Sequence, residues 1–233
     1  MNINACIVSY YMDNIDPKTV QLQSKVVEKY NKSKYEHYLV KANLRHGAFM
    51  DYFWCLNGVN VLTFANSIIE RKVDHDVIFF LDADCIPLDE YSIDEYIEKA
   101  AEGFVVGNIQ RSNHIENDQH VFAAPSAVAL SRETFIKIGK PSALENPRSD
   151  VAEEYTWAAE ENGVPVDLYL PLRYDRKPSE CDFWALKDGM PVYGQGTTFG
   201  RGEVETFYHN FQIFHPGQQQ NFWNKCEEIL NGQ

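Results

Sequence analysis

Asp82 and Asp84 stand one residue apart at the end of Val77-Ile78-Phe79-Phe80-Leu81, a run in which every residue is apolar. Carboxylates at a period of two project to the same side of an extended chain, so both can face one bound cation or one sugar ring. Paired hard oxygen ligands suit Mg²⁺ or Mn²⁺, ions that keep some of their water and bridge to substrate phosphates. Such a site needs further ligands, and imidazole suits Mn²⁺ better than Mg²⁺. Two histidines are candidates: His209, which closes a strand-like apolar run and is the first choice, and His215, which precedes Pro216-Gly217.

The apolar run itself predicts how the aspartates are held. A stretch that is apolar at every position suits a strand buried on both faces, as in a sheet covered by helices. No carboxylate belongs inside such a core, so the pair falls at the carboxyl end of the strand, where open α/β sheets place their ligands. Pro87 stops the strand. Upstream, "INACIVSYY" reads as a first strand ended by Met12-Asp13-Asn14. A helix follows, with Asp16 as N-cap, Pro17 in its first turn and an apolar stripe of Val20, Val27 and Tyr30 interrupted by Gln23. "EHYLVKAN" then makes a second strand, and this strand–helix–strand unit opens a doubly wound sheet.

Next, "RHGAFMDYFWCLNG" carries Phe49, Tyr52, Phe53 and Trp54, which are expected to pack rather than to act. "VNVLTFANSIIERK" reads as a helix feeding the Asp82 strand, Asp94 to Ala101 as another helix, and "FVVGN" and "VFAAPSAVAL" as strands. "SRETFIKIG" is a capped helix with Ser131 and Glu133 near its start and Gly139 at its end. "SDVAEEYTWAAEENG" is a helix capped by Ser149 or Asp150 and ended by Asn162-Gly163, with Val151, Tyr155 and Ala158 or Ala159 on its buried side. Glu153 and Glu154 lie in its early turns, where the helix dipole favours carboxylates. "YGQGTTFGRG" reads as a mobile loop and not as a nucleotide fingerprint, since no strand feeds it in the required way.

The 233 residues suit one large α/β domain spanning 1–233. A net charge of −13 disfavours a protein whose affinity comes from neutralising phosphate backbones. The five cysteines are scattered without a Cys-any-any-Cys pair, so neither a disulfide framework nor a zinc site is expected, and reduced thiols in a cytoplasm fit best. No segment approaches about 18 uninterrupted apolar residues, so no transmembrane segment is expected.

Around the aspartates, "IFFLDADCIPL" resembles the GT-A fold glycosyltransferases, whose Asp-any-Asp motif after a buried strand holds a divalent cation and the diphosphate of a nucleotide sugar. "VALSRETFIKIG" is similar to the strand, turn and short helix beyond that motif, and "HPGQQQNFW" to the His-any-Gly element of glycogenin-like members, without its lysine. The resemblance implies a Rossmann-like, mixed, mainly parallel sheet flanked by helices. It also implies a nucleotide-sugar and metal half over 1–110 and an acceptor half over 111–233. By the same resemblance Asp84 is a direct metal ligand with His209 or His215. Asp82 contacts the metal or the donor's ribose, and Ser9, Tyr10 and Tyr11 begin the base and ribose pocket. Glu153 or Glu154, with Asp150 third, would reach the acceptor hydroxyl, one of them as general base if the enzyme inverts configuration.

The function expected is therefore metal-dependent transfer of a hexosyl or pentosyl group from a nucleoside diphosphate sugar, UDP first, to an acceptor hydroxyl, with Mn²⁺ or Mg²⁺ as cofactor. The acceptor is a glycan or a hydroxymethylated base in phage DNA, for which Arg173, Arg176 and Lys177 offer a few phosphate contacts. Two other readings are a nucleotidyltransferase, whose usual basic Gly-rich first loop "VSYYMDNID" lacks, and a noncatalytic nucleotide-sugar or carbohydrate binder.

Overall fold

The computed structural model describes residues 3–41, 44–56, 62–64, 67–69, 74–112, 119–176, 183–187, 189–214 and 217–232. The chain runs β1 (Ala5–Tyr11), α1 (Pro17–Asn31), β2 (Glu36–Lys41), α2 (His46–Leu56), β3 (Leu62–Phe64), β4 (Ser67–Ile69), β5 (Val77–Asp82) and β6 (Cys85–Pro87). It continues through α3 (Ser92–Ala101), β7 (Val105–Arg111), β8 (Val121–Ser131), α4 (Arg132–Lys137), α5 (Glu153–Glu161) and β9 (Val166–Tyr174). It ends with β10 (Phe183–Ala185), β11 (Val192–Gly194), β12 (Thr197–Arg201), β13 (Val204–His209) and α6 (Gln218–Asn231).

Nine strands form one mixed sheet in the order β2-β1-β5-β8-β7-β9-β12-β13-β6. Parallel pairing joins β2, β1 and β5, and β7 to β9, whereas the remaining ladders are antiparallel. Strand β5 is buried on both faces, and its side chains divide by parity. Ile78 and Phe80 pack with Phe49 and Phe53 of α2 and Tyr155 of α5, while Phe79 and Leu81 pack with Ile93, Tyr96 and Ile97 of α3. Burying such side chains contributes roughly 1.5–3 kcal/mol each, which fixes the strand's register and hence the height of the residues that follow it.

Helix α1 begins as its sequence dictates. The Asp16 carboxylate accepts from the Lys18 N–H at 2.8 Å, and Pro17 occupies the first turn, where its missing N–H costs nothing. Gln23, the polar break in its stripe, is fully buried and donates to the Ser9 hydroxyl at 2.9 Å.

Three local expectations give way. The segment expected as a helix before the Asp82 strand instead pairs β3 with β4. Its β-branched and aromatic residues favour extended backbone, and the sequence places Ala65-Asn66 between the two strands. "YGQGTTFGRG" is a strand segment rather than a loop: Thr197 to Arg201 form β12, paired on both sides. There Gly200 is required by contact, since a Cβ would meet the Val204 carbonyl oxygen at 2.0 Å. Helix α5 is preceded by neither Ser149 nor Asp150 but by Ala152, in the left-handed region at φ 64°, with no side-chain cap.

Candidate metal centre and active site

Strand β6 is the far edge of the sheet by pairing, yet it starts three residues after β5 ends. The sheet therefore curls, and the Ala83-Asp84 turn joins the interior strand β5 to the sheet's β6 edge. The β6–β13 ladder sets His209 opposite Cys85, and the Asn210 N–H donates to the Asp84 carbonyl at 3.0 Å. This register carries His209 Nε2 to 3.2 Å from Asp84 Oδ1. Ligand atoms of Asp82, Asp84 and His209 all lie within 4.8 Å of one another.

Two carboxylates this close and this poorly hydrated repel one another. Burial, and then the charge of Asp84, push the Asp82 carboxyl well above its ordinary range, with His209 acting the other way. A cation removes the conflict, and two carboxylates with one imidazole form a donor set that a divalent ion of the Mn²⁺ type accepts. The residues present thus fit the ion.

A fourth side chain joins the cluster that the sequence did not single out. His46, the first residue of α2, places Nε2 3.1 Å from Asp82 Oδ1. Burial lowers its pKa to about 4, against a smaller upward pull from Asp84, and His209 lowers it further. A neutral imidazole can donate its N–H to Asp82 and fix that carboxylate. Its visible signal was a histidine directly before Gly47, at the start of an aromatic-rich helix.

A cavity of about 210 Å³ opens beside the cluster, lined by Tyr10, Tyr11, Met12, Ile15, His46, Asp82, Ala83, Asp84, Ile213 and Phe214. A larger one of about 430 Å³ shares Tyr11, Met12 and Ile15 with it and continues over α1 and β2. Of the three residues expected to begin a base pocket, Tyr11 lines both cavities. Tyr10 is buried, stacked on Phe49 at 4.5 Å, with its hydroxyl donating to the Leu44 carbonyl at 2.5 Å. Ser9 is fully buried, its hydroxyl 2.9 Å from both Gln23 Nε2 and His37 Nε2, so it offers a bound molecule nothing. His215 lies outside the described residues, as does Lys177.

Among solved structures, the fold is similar to those of glycosyltransferases. One is a mutant of Drosophila β1,4-galactosyltransferase 7 in complex with manganese, UDP-Gal and xylobiose, at 12% identity, over 92% of this chain and 74% of that one, with a TM-score of 0.46. An active-site mutant of LgtC matches at 12% identity, over 97% and 95% of the two chains, with a TM-score of 0.44. The galactosyltransferase LgtC in complex with donor and acceptor sugar analogues matches at 10% identity over the same shares, also at 0.44. No protein-family model matches the chain, and no curated protein sequence matches it.

The acidic pair opening α5 is placed differently from the sequence expectation. Glu153 is fully buried and accepts from Ser112 Oγ at 2.8 Å, the Asp150 N–H at 2.6 Å and Trp157 Nε1 at 3.2 Å, with His120 Nδ1 at 2.5 Å. Burial alone would raise its pKa, but these hydrogen bonds outweigh it and hold the group below the usual range. Glu154 is clamped by Arg148 at 2.7 and 2.9 Å and by Ser149 and Asn146, and the Arg148 bonds pull it down to about 2. Glu153 is thus shut off from solvent and Glu154 is ion-paired, each engaged by protein groups of its own. Both brace the turn that carries Asp150, whose charge is felt at the Tyr193 hydroxyl.

Proposed function

We propose that this chain is a metal-dependent glycosyltransferase that moves a hexosyl or pentosyl group from a nucleoside diphosphate sugar, UDP first, to an acceptor hydroxyl of a glycan. The observation that carries the reading is the convergence of Asp82, Asp84 and His209 beside a cavity that the two aspartates line, where the end of a buried strand meets the far edge of its own curled sheet. Residues 1–110 would hold the donor and 111–233 the acceptor.

Asp84 and His209 would hold a divalent cation, with Asp82 as a further ligand steadied by His46. When bound, that ion offsets the charge developing on a departing diphosphate. Tyr11 would offer its ring to the base, and Met12 and Ile15 the apolar wall beneath it. In the transfer, a bond forms between the acceptor oxygen and the anomeric carbon as the bond from that carbon to the diphosphate oxygen breaks. The diphosphate leaves with the electron pair, and the acceptor proton passes to a carboxylate or to water. Asp150, whose Oδ1 accepts from the Val151 N–H at 2.7 Å, is the carboxylate assigned to the acceptor side, because Glu153 is fully buried in its network and Glu154 is clamped by Arg148.

Release of UDP from a panel of UDP-hexoses and UDP-pentoses, measured with Mn²⁺, with EDTA and with Asp84→Ala, tests the reading. Turnover that requires the ion and is lost in the variant is expected. Pyrophosphate release from a nucleoside triphosphate and a sugar phosphate would point instead to nucleotidyl transfer. UDP-sugar binding without turnover in any condition would make the protein a binder.

A further inference from the structure

Trp184 on β10, Tyr193 on β11 and Phe211 after β13 meet in one aromatic corner, although they come from three separate segments. Their ring centroids are 5.7 Å apart for Trp184 and Tyr193, 5.8 Å for Trp184 and Phe211, and 5.4 Å for Tyr193 and Phe211. The corner adjoins the metal cluster, since the Phe211 ring lies 3.8 Å from the imidazole of His209. Tyr193 is buried and forms its floor, whereas Trp184 and Phe211 are half-buried at the edge of the core. At the floor's far side the Tyr193 hydroxyl meets the main chain of Arg111, within reach of the Asp150 charge.

The corner therefore adjoins the cation ligands, and its Tyr193 floor lies within the field of Asp150, in the turn that Glu153 braces. We propose that it is the acceptor subsite and that it takes the terminal pyranose of a glycan. A pyranose has a face of C–H groups that packs flat on an aromatic ring and a rim of hydroxyls that a carboxylate and a guanidinium can bond. Asp150 and Arg111 are the polar groups assigned to that rim. A duplex carrying a modified base would instead bring a row of phosphates against a chain of net charge −13. The inference rests on the glycosyl-transfer reading of the Asp82–Asp84–His209 site.

The test uses the full chain with Mn²⁺, the UDP-sugar from which the donor panel shows UDP release, and two acceptor sets: simple glycosides of glucose, galactose, xylose and N-acetylglucosamine, and duplex DNA containing hydroxymethylcytosine. Wild type is expected to transfer to at least one glycoside. Trp184→Ala is expected to raise the KM for that glycoside at least tenfold with a far smaller change in kcat, and Trp184→Phe to recover most of the loss. Calorimetry should give Trp184→Ala the wild-type affinity for UDP in Mn²⁺, which shows the variant folded and the donor side intact. Unchanged glycoside KM in Trp184→Ala, or transfer to the DNA and to no glycoside, would overturn the acceptor assignment alone. Failure of wild type to bind UDP in Mn²⁺ would overturn the donor reading and this inference with it.

Discussion

His46 Nε2 and Asp82 Oδ1 lie 3.1 Å apart, joining the first residue of α2 to the last residue of β5. The contact settles which way the Asp82 carboxylate faces, since β5 alone fixes only its height. Groups that orient a metal ligand typically change affinity 10–100-fold when removed. His46→Ala is therefore expected to weaken Mn²⁺ binding by about tenfold, read by calorimetric titration, with His46→Gln recovering part of it. Equal affinity in all three proteins would mean that the imidazole does not orient Asp82.

Much of this site was legible in the sequence because it depends on local rules. An all-apolar run that ends in two carboxylates needs only the burial of β5 to be placed. Asp16 with Pro17, and Ser131 accepting from the Thr134 N–H at 3.0 Å, likewise declare their helix starts within a few residues. His46 was not legible, because its partner is brought to it by the packing of α2 on the sheet. The surroundings of Glu153 were not legible for a related reason. Its position near a helix start suggests an available carboxylate, but His120 and Ser112 reach it from 33 and 41 residues away in sequence. The β3–β4 segment failed on composition, since its spacing permits a helix while its β-branched residues favour strands.

The Glu153 network carries a stability prediction. A buried carboxylate that loses its charge leaves several donors facing a weaker acceptor, and breaking such a network costs about 2–4 kcal/mol. Glu153→Gln should therefore lower the denaturant midpoint without changing the slope of the transition. A midpoint within error of wild type would mean that the four contacts contribute little.

Glu154 sets an acid limit. Its folded pKa of about 2 lies below the ordinary 4.5, so its stabilisation is fully present above 4.5 and is lost as pH falls towards 2. Arg148 is 45% exposed, which screens the pair and reduces its worth to about 1–2 kcal/mol. Glu154→Gln should be less stable than wild type by that amount at pH 7, with the two curves converging near pH 2. A gap that stays constant across this range would assign the loss to shape rather than charge.

Removing or adding the cation should move the melting temperature through the same cluster. An ion that binds only the folded chain stabilises it by mass action, about 2.7 kcal/mol at a hundredfold excess over Kd. Millimolar Mn²⁺ is expected to raise the wild-type melting temperature by several degrees over EDTA, and to leave Asp84→Ala and His209→Ala unmoved. A rise of the same size in the variants would locate the binding elsewhere.

Gly47 ties the start of α2 to the turn before α5. A Cβ at this position would meet the Ala143 carbonyl oxygen at 2.3 Å and Leu144 Cα at 2.9 Å. That same carbonyl accepts from the Ala152 N–H at 2.9 Å, just before α5, while Asp51 of α2 accepts from the Ala143 N–H at 2.6 Å. The 142–144 segment is thus pinned between α2 and the turn carrying Asp150, and neither neighbour is a flexible side chain that can step aside. Gly47→Ala must shift the start of α2, at a cost of about 1–3 kcal/mol for an overpacked contact. Because His46 is the adjacent residue, the shift should also draw its imidazole from Asp82. The expected result is a lower melting temperature together with Mn²⁺ affinity reduced as far as in His46→Ala, and a lower melting temperature with unaltered affinity would show that His46 is held independently of this contact.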